Sequence, residues 1–161
     1  MNRPVPDQRF SQHLLAEDEL GAVVRTHIHI EAGIRAYVQA AIPKPSHLPR
    51  LTYEARLRLA VALNFPAEYF DCLKFLGDLR NSFGHNLDAQ LTNDNVNGLF
   101  ETLPEEAKTA VVAAFDEIQA DRKTQVQFQS LSPKDRFVMI AAILNGSVFG
   151  FAQARAGSNA A

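Results

Sequence analysis

Eight prolines, at positions 4, 6, 43, 45, 49, 66, 104 and 133, punctuate this 161-residue chain. Proline inside a helix removes a backbone hydrogen bond and clashes with the turn before it, so these points limit where any helix can run. Between them apolar residues recur at three- and four-residue spacing, the period of a helix with one buried face. Only residues 26 to 31 alternate briefly, as a strand would. The spacing therefore predicts an all-α fold, a single helical bundle of about five helices. A 47% hydrophobic content over this length is enough for one core and one domain.

Residues 1–10, with Pro4 and Pro6, are expected to form a mobile tail, residues 11–156 the bundle and residues 157–161 a frayed end. Ser11 can cap a first turn, and a long helix is predicted from there to about Ile42, with a bend at Gly21. On it Val23, His27, Ile30, Ile34, Tyr37 and Ala41 make one stripe; His27, Glu31 and Arg35 interrupt the apolar arc one turn apart. The segment Pro43 to Pro49 is a connector. Thr52 is the expected N-cap of the next helix, which Pro66 stops. Pro66 also suits the first turn of the following helix. Beyond residue 85 a polar loop with a short helix from Thr92 to Phe100 is expected, then a helix opened by Thr102 and Pro104. Ser132, Pro133 and Asp135 give a capping pattern for the last helix. Residues 137–154 are uncharged, but Asn145, Gly146, Ser147 and Gln153 favour a buried core helix over a membrane span. Apolar side chains nearly all round make this helix the centre of the bundle or part of a dimer interface.

Near the middle of the chain, Leu79-Arg80-Asn81-Ser82-Phe83-Gly84-His85-Asn86 brings a permanent cation, an amide and an imidazole together at the end of an apolar helical segment. Tyr69, Cys72, Leu73, Leu76, Leu79 and Phe83 supply the core face of that helix. Arg80 shares a side with Gly77 and Gly84, where the absence of side chains lets another backbone come close. Asp78, Asn81 and His85 form a second, polar stripe.

Arg80, a polar residue at 81, three intervening residues and His85 match the motif of the HEPN superfamily of nucleotide-binding helical proteins. Within it, LRNSFGHN and the upstream HIHIE most resemble the branch around the mannitol operon repressor. The resemblance implies a helical bundle over most of residues 10 to 155 and a two-fold homodimer that joins two motifs in one cleft. In many relatives that cleft cuts RNA without metal, while the mannitol repressor branch is regarded as regulatory. For a toxin, the resemblance also implies a neutralising protein partner such as a nucleotidyltransferase-like antitoxin.

Metal-free RNA cleavage requires a group to take the 2'-hydroxyl proton, one to protonate the leaving oxygen and one to hold charge on phosphorus. Histidine suits the proton steps because its unperturbed pKa of ~6.5 keeps both forms accessible near neutrality. Arginine stays charged and grips phosphate through two parallel N–H bonds. The expected site is thus His85 as general base or acid, Arg80 as phosphate clamp and Asn81 as the orienting group. Arg80 and His85 are five residues apart, so on an unbroken helix they diverge by roughly 140°. They converge only if Gly84 relaxes the helix end or a two-fold partner supplies the complement. A structural reading pairs Arg80 with Asp78 or with a neighbouring helix and makes His85 a helix C-terminal cap. Glu31 is the supporting candidate: a carboxylate on an apolar arc needs a partner, either Arg80 or His85 or, preferred, Arg35 or His27 on its own helix.

Other chemistries fare worse. On a strand His27, His29 and Glu31 would share one side as a metal site requires, but the helical period around them argues against it. Cys72 lies on the packing stripe as an apolar filler. No glycine-rich phosphate loop, zinc spacing or nucleophile elbow is present, so neither cofactor nor metal is expected. The net charge is -2, and the second half carries six Lys and Arg against nine acids. That balance disfavours a double-stranded DNA binder with a broad basic face, and leaves RNA contact as a local matter. One cysteine and no signal-peptide pattern point to the cytoplasm, without a membrane segment. Two functions follow as expectations: a metal-independent endoribonuclease, or a non-catalytic regulator or protein-interaction module built on the same groove.

Overall fold

Helical periodicity becomes seven α-helices, with no strand among the described residues. In order they are α1 (Gln8–Ala16), α2 (Glu19–Ala41), α3 (Tyr53–Ala62), α4 (Phe70–His85), α5 (Asn93–Glu101), α6 (Glu105–Arg122) and α7 (Pro133–Ser158). Short 3-10 turns occur at Pro45–His47, Ala67–Tyr69 and Phe128–Ser130. The structure is a computed structural model that describes residues 8–158 apart from 87 and 124. Of the tail expected over residues 1–10 and the frayed end expected over 157–161, residues 1–7 and 159–161 lie outside the described residues. The all-α class is as expected, and the helix count is higher for identifiable reasons.

The first reason is a break between α1 and α2. The helix expected from Ser11 to Ile42 ends at Ala16 and restarts at Glu19, ahead of the bend predicted at Gly21. Asp18 causes the restart: its backbone is extended and its carboxylate accepts from the Gly21 N–H at 2.6 Å, satisfying a donor the new helix leaves open. From α7, the Lys134 ammonium donates to the carbonyls of Leu15 and Glu17 and so closes the other side of the break. The tail boundary also moves. Residues 8–10 already belong to α1, and Phe10 is buried with its ring 4.8 Å from that of His29. At the other end Gly157 and Ser158 are still helical. The strand-like run at 26 to 31 lies wholly within α2, because long-range packing of a 3.6-residue stripe overrides six alternating residues.

Two of the expected caps form: Thr52 Oγ1 accepts from Ala55 N at 3.3 Å and Ser132 Oγ accepts from Asp135 N at 3.1 Å, while Ser11, expected to cap the first turn, lies inside α1 because that helix already begins at Gln8. Thr92 and Asn95 add a reciprocal capping box at the start of α5. Pro66 opens not an α-turn but the 3-10 turn that leads into α4 at Phe70.

α7 is the central helix, packed against α1, α2, α5 and α6. Phe137, Ile140, Ile143, Leu144 and Val148 are all buried along it. Each such side chain contributes about 1.5–3 kcal/mol relative to exposure, which is why a helix apolar on every side belongs in the middle. By length and composition α7 could cross a membrane, with mean hydropathy 1.7 over its most apolar window, but 61% of that window is buried among the other helices. Gly33 lets α2 lie directly on it: a Cβ there would meet Val148 Cγ1 at 2.6 Å. Arg136, buried in the first turns of α7, donates to Asn97 Oδ1 at 2.8 Å and Asn93 Oδ1 at 2.6 Å, tying α5 down.

α3 and α4 pack beside α2 away from the bundle centre. The start of α4 is anchored by Tyr69, whose hydroxyl hydrogen is shared between Glu106 Oε1 at 3.1 Å and Ser147 Oγ at 3.3 Å. Its ring meets Phe151 edge-on at 5.1 Å. All six residues assigned to the core face of α4 are buried, so the period correctly orients Arg80 and Asn81 outward.

Candidate functional site

The polar stripe that interrupts α2 and the motif helix α4 face each other across a cleft of about 770 Å³, whose third wall is the N-terminal end of α3 and the connector before it. α2 contributes His27, Glu31 and Arg35, and α4 contributes Lys74, Asp78, Arg80 and Asn81. Arg50, Tyr53 and Arg56 complete it. Five lysines and arginines line the cleft against three acids, in a chain whose net charge is negative.

Ion pairing within the cleft is selective. Glu31, on α2, pairs with Arg56 of α3. This corrects the expected partners, since neither Arg35 nor His27 on its own helix takes the carboxylate, nor do Arg80 or His85. Arg56 also donates to the Leu51 carbonyl at 3.2 Å, so its guanidinium is held between the α3 N-terminus and α2. Asp78 pairs with Lys74 at 2.7 Å, one turn back on α4, and not with Arg80 as the structural reading had it. That pair also raises the Lys74 pKa. Glu54 is taken by Arg58 at 2.7 Å. Every acid lining the cleft is therefore engaged. Arg35, Arg50 and Arg80 have no carboxylate at ion-pair distance among the described residues; Arg80 Nη1 donates instead to Asn81 Oδ1 at 3.2 Å.

Tyr53 forms the floor. Its hydroxyl donates to the Leu73 carbonyl at 2.8 Å, and burial raises its pKa far above the usual phenol value, so it remains a donor. The ring lies over Gly77, where an added Cβ would come within 2.8 Å of it. Gly77 thus admits an aromatic ring, not the backbone expected there. Gly84 has nothing within 4 Å of its Cβ position. His27 packs against Tyr53 with the ring planes tilted by 47° and the centroids 4.4 Å apart. Burial lowers the His27 pKa and the Arg80 charge lowers it further, while Glu31 pulls it back up.

His85 is placed elsewhere. It is the last residue of α4, exposed, and does not line the cleft that holds Arg80 and Asn81. α4 stays helical through Gly84, whose φ is not positive, so the helix end does not relax. Arg80 and His85 keep the ~140° divergence of an unbroken helix. His27 and His29 likewise point to different neighbours, Tyr53 and Phe10, and among the described residues no cluster of three or more His, Cys, Asp and Glu could hold a metal. Cys72 is buried, donates to the Tyr69 carbonyl at 3.1 Å, and burial pushes its pKa up to about 12, which keeps it an unreactive thiol.

Arg50, Arg56, Tyr53 and Lys74 are among the cleft residues that sequence reasoning missed. Arg50 precedes the Thr52 cap and Arg56 follows it by one turn, so two arginines flanking a helix cap were the local sign. No family model, no curated protein and no solved structure matches this chain.

Proposed function

We propose that this chain is a HEPN-type, metal-independent endoribonuclease whose α2–α3–α4 cleft binds the RNA backbone. The observation that carries the reading is the cleft at Arg80 and Asn81, in which three arginines lack an acidic partner among the described residues while every acid is already engaged. Guanidinium groups in that state are matched to phosphate, which they bind by two parallel hydrogen bonds and whose extra charge they hold as the transition state forms. Asn81, bonded to Arg80, sets the plane of its guanidinium. A homodimer would bring His85 to the cleft of the partner, since it cannot reach its own. If the enzyme acts as a toxin, a protein antitoxin is the partner the motif resemblance suggests.

The test is cleavage of a mixed RNA panel in EDTA by the purified protein. Arg80→Ala should lower the rate about 10²–10³-fold, the range for losing one transition-state charge donor, with helical content intact. A wild-type protein inert toward every RNA would overturn the reading. The exposed position of His85, outside the cleft, favours a second one: a non-catalytic regulator that uses the same arginines to hold a nucleotide or an acidic protein segment. Binding that depends on Arg80 without any turnover is its signature.

A further inference from the structure

The floor of this cleft contains an imidazole with unused nitrogens. His27 is only 7% exposed, yet no hydrogen bond engages it among the described residues, where buried polar side chains are nearly always bonded. Its ring packs against Tyr53, and His27 lines the cleft. The titratable groups that share the cleft with it come from every wall: Glu31 and Arg35 on α2, Arg50, Tyr53, Glu54 and Arg56 at α3 and the connector before it, Lys74, Asp78 and Arg80 on α4. Glu31, Asp78 and Arg56 are already paired, so the groups left to meet a ligand are the imidazole and the arginines at 35, 50 and 80. A volume of about 770 Å³ falls in the range of sites that take a small organic ligand or a nucleotide unit.

We infer that the cleft is a complete site within one chain for a ribose 3'-phosphodiester, with His27 taking the 2'-hydroxyl proton and Arg80 holding the phosphate. The inference rests on the ribonuclease reading and moves the proton-accepting role from His85 to His27. The 2'-hydroxyl proton passes to the free imidazole nitrogen, the 2'-oxygen bonds to phosphorus and the bond from phosphorus to the 5'-oxygen breaks. The departing 5'-oxygen takes a proton from water, and His27 returns its own proton to solvent. The products are a 2',3'-cyclic phosphate and a 5'-hydroxyl, with no metal or redox partner consumed. Burial beside Arg80 suits the first step because it keeps the imidazole neutral and ready to accept. DNA, lacking the 2'-hydroxyl, would bind without being cut.

Three proteins decide the matter: wild type, His27→Gln and His85→Ala. Each is assayed in EDTA for RNA cleavage and for binding of the all-2'-deoxy oligonucleotide of the same sequence. His27→Gln should cut about 10²-fold or more slowly, in the range for a lost general base, with binding of the deoxy strand retained. His85→Ala should bind the deoxy strand as wild type does and cut faster than His27→Gln. Loss of activity in His85→Ala with retention in His27→Gln overturns the inference and leaves the ribonuclease reading standing. A wild type that binds the deoxy strand but cuts no RNA overturns both. Should His27→Gln misfold, the imidazole proton resonances of wild-type His27 replace it: they should shift as the deoxy strand is added, and an unmoved signal under saturating strand overturns the inference.

Discussion

His27 is neutral in the fold for reasons its neighbours make explicit, and that has a cost at low pH. Burial lowers its pKa first and Arg80 adds to the shift, against the opposing pull of Glu31. In the unfolded chain the same ring titrates near ~6.5, so below that value the unfolded state binds the extra proton and the folded state resists it. Stability is therefore fully present above ~6.5 and declines as pH falls from there toward the lower folded pKa. The expected outcome is a melting temperature that drops between about pH 7.5 and 5 in wild type, and drops less in His27→Gln. Tyr53 stays protonated throughout this range, and the Glu31–Arg56 and Lys74–Asp78 pairs are common to both proteins, so the difference between the two curves reports the imidazole. Equal slopes would mean that folding does not lower the His27 pKa.

At the scale of the element, α4 carries two glycines on the side of Arg80, and they make opposite demands. Gly77 lies under the Tyr53 ring, with room for nothing more; Gly84 faces open space. Gly77→Ala should destabilise the chain by about 1–3 kcal/mol through overpacking and displace the cleft floor. Gly84→Ala should stabilise it by about 0.5–1 kcal/mol, the ordinary helix-propensity difference. Urea unfolding of the two variants checks both signs. A Gly84→Ala protein that gained stability but lost self-association would place a partner's backbone at that position. The period of α4 made its buried face and the outward direction of Arg80 and Asn81 legible, because a 3.6-residue repeat fixes direction from spacing alone. Partners across elements were not legible in the same way. Glu31 and Arg56 stand 25 residues apart, and Arg136 and its two asparagines on α5 39 and 43 apart, with nothing local to join them. The α1–α2 break was within reach: Asp18 followed by Glu19 is an N-terminal signal, but Gly21 drew the expected bend toward itself. Phe10 was hidden by the nearby prolines, which made a buried anchor look like tail.

For the whole molecule, the question is whether one chain or two build the site, because net charge and helix geometry pull in different directions. The chain is acidic overall, but three arginines without an acidic partner among the described residues gather in one cleft, so a single subunit already concentrates what phosphate needs. Yet Arg80 and His85 can meet only across a two-fold axis. Subunit mixing separates these cases. If the site draws His85 from one subunit and Arg80 from the other, both Arg80→Ala and His85→Ala homodimers are dead. Random pairing of the two then makes half the dimers mixed, each with one intact site, and restores about a quarter of wild-type activity. If the site lies within one chain, as His27 and Arg80 on facing helices suggest, Arg80→Ala mixed with His27→Gln restores nothing, because every chain lacks one of its own parts. The expected result is no recovery in the Arg80→Ala and His27→Gln mixture, measured as RNA cleavage in EDTA after co-refolding, with the oligomeric state followed by light scattering. Recovery in that mixture would show that the imidazole of one subunit serves the arginine of the other, and the single-chain site would fall even with His27 as its base.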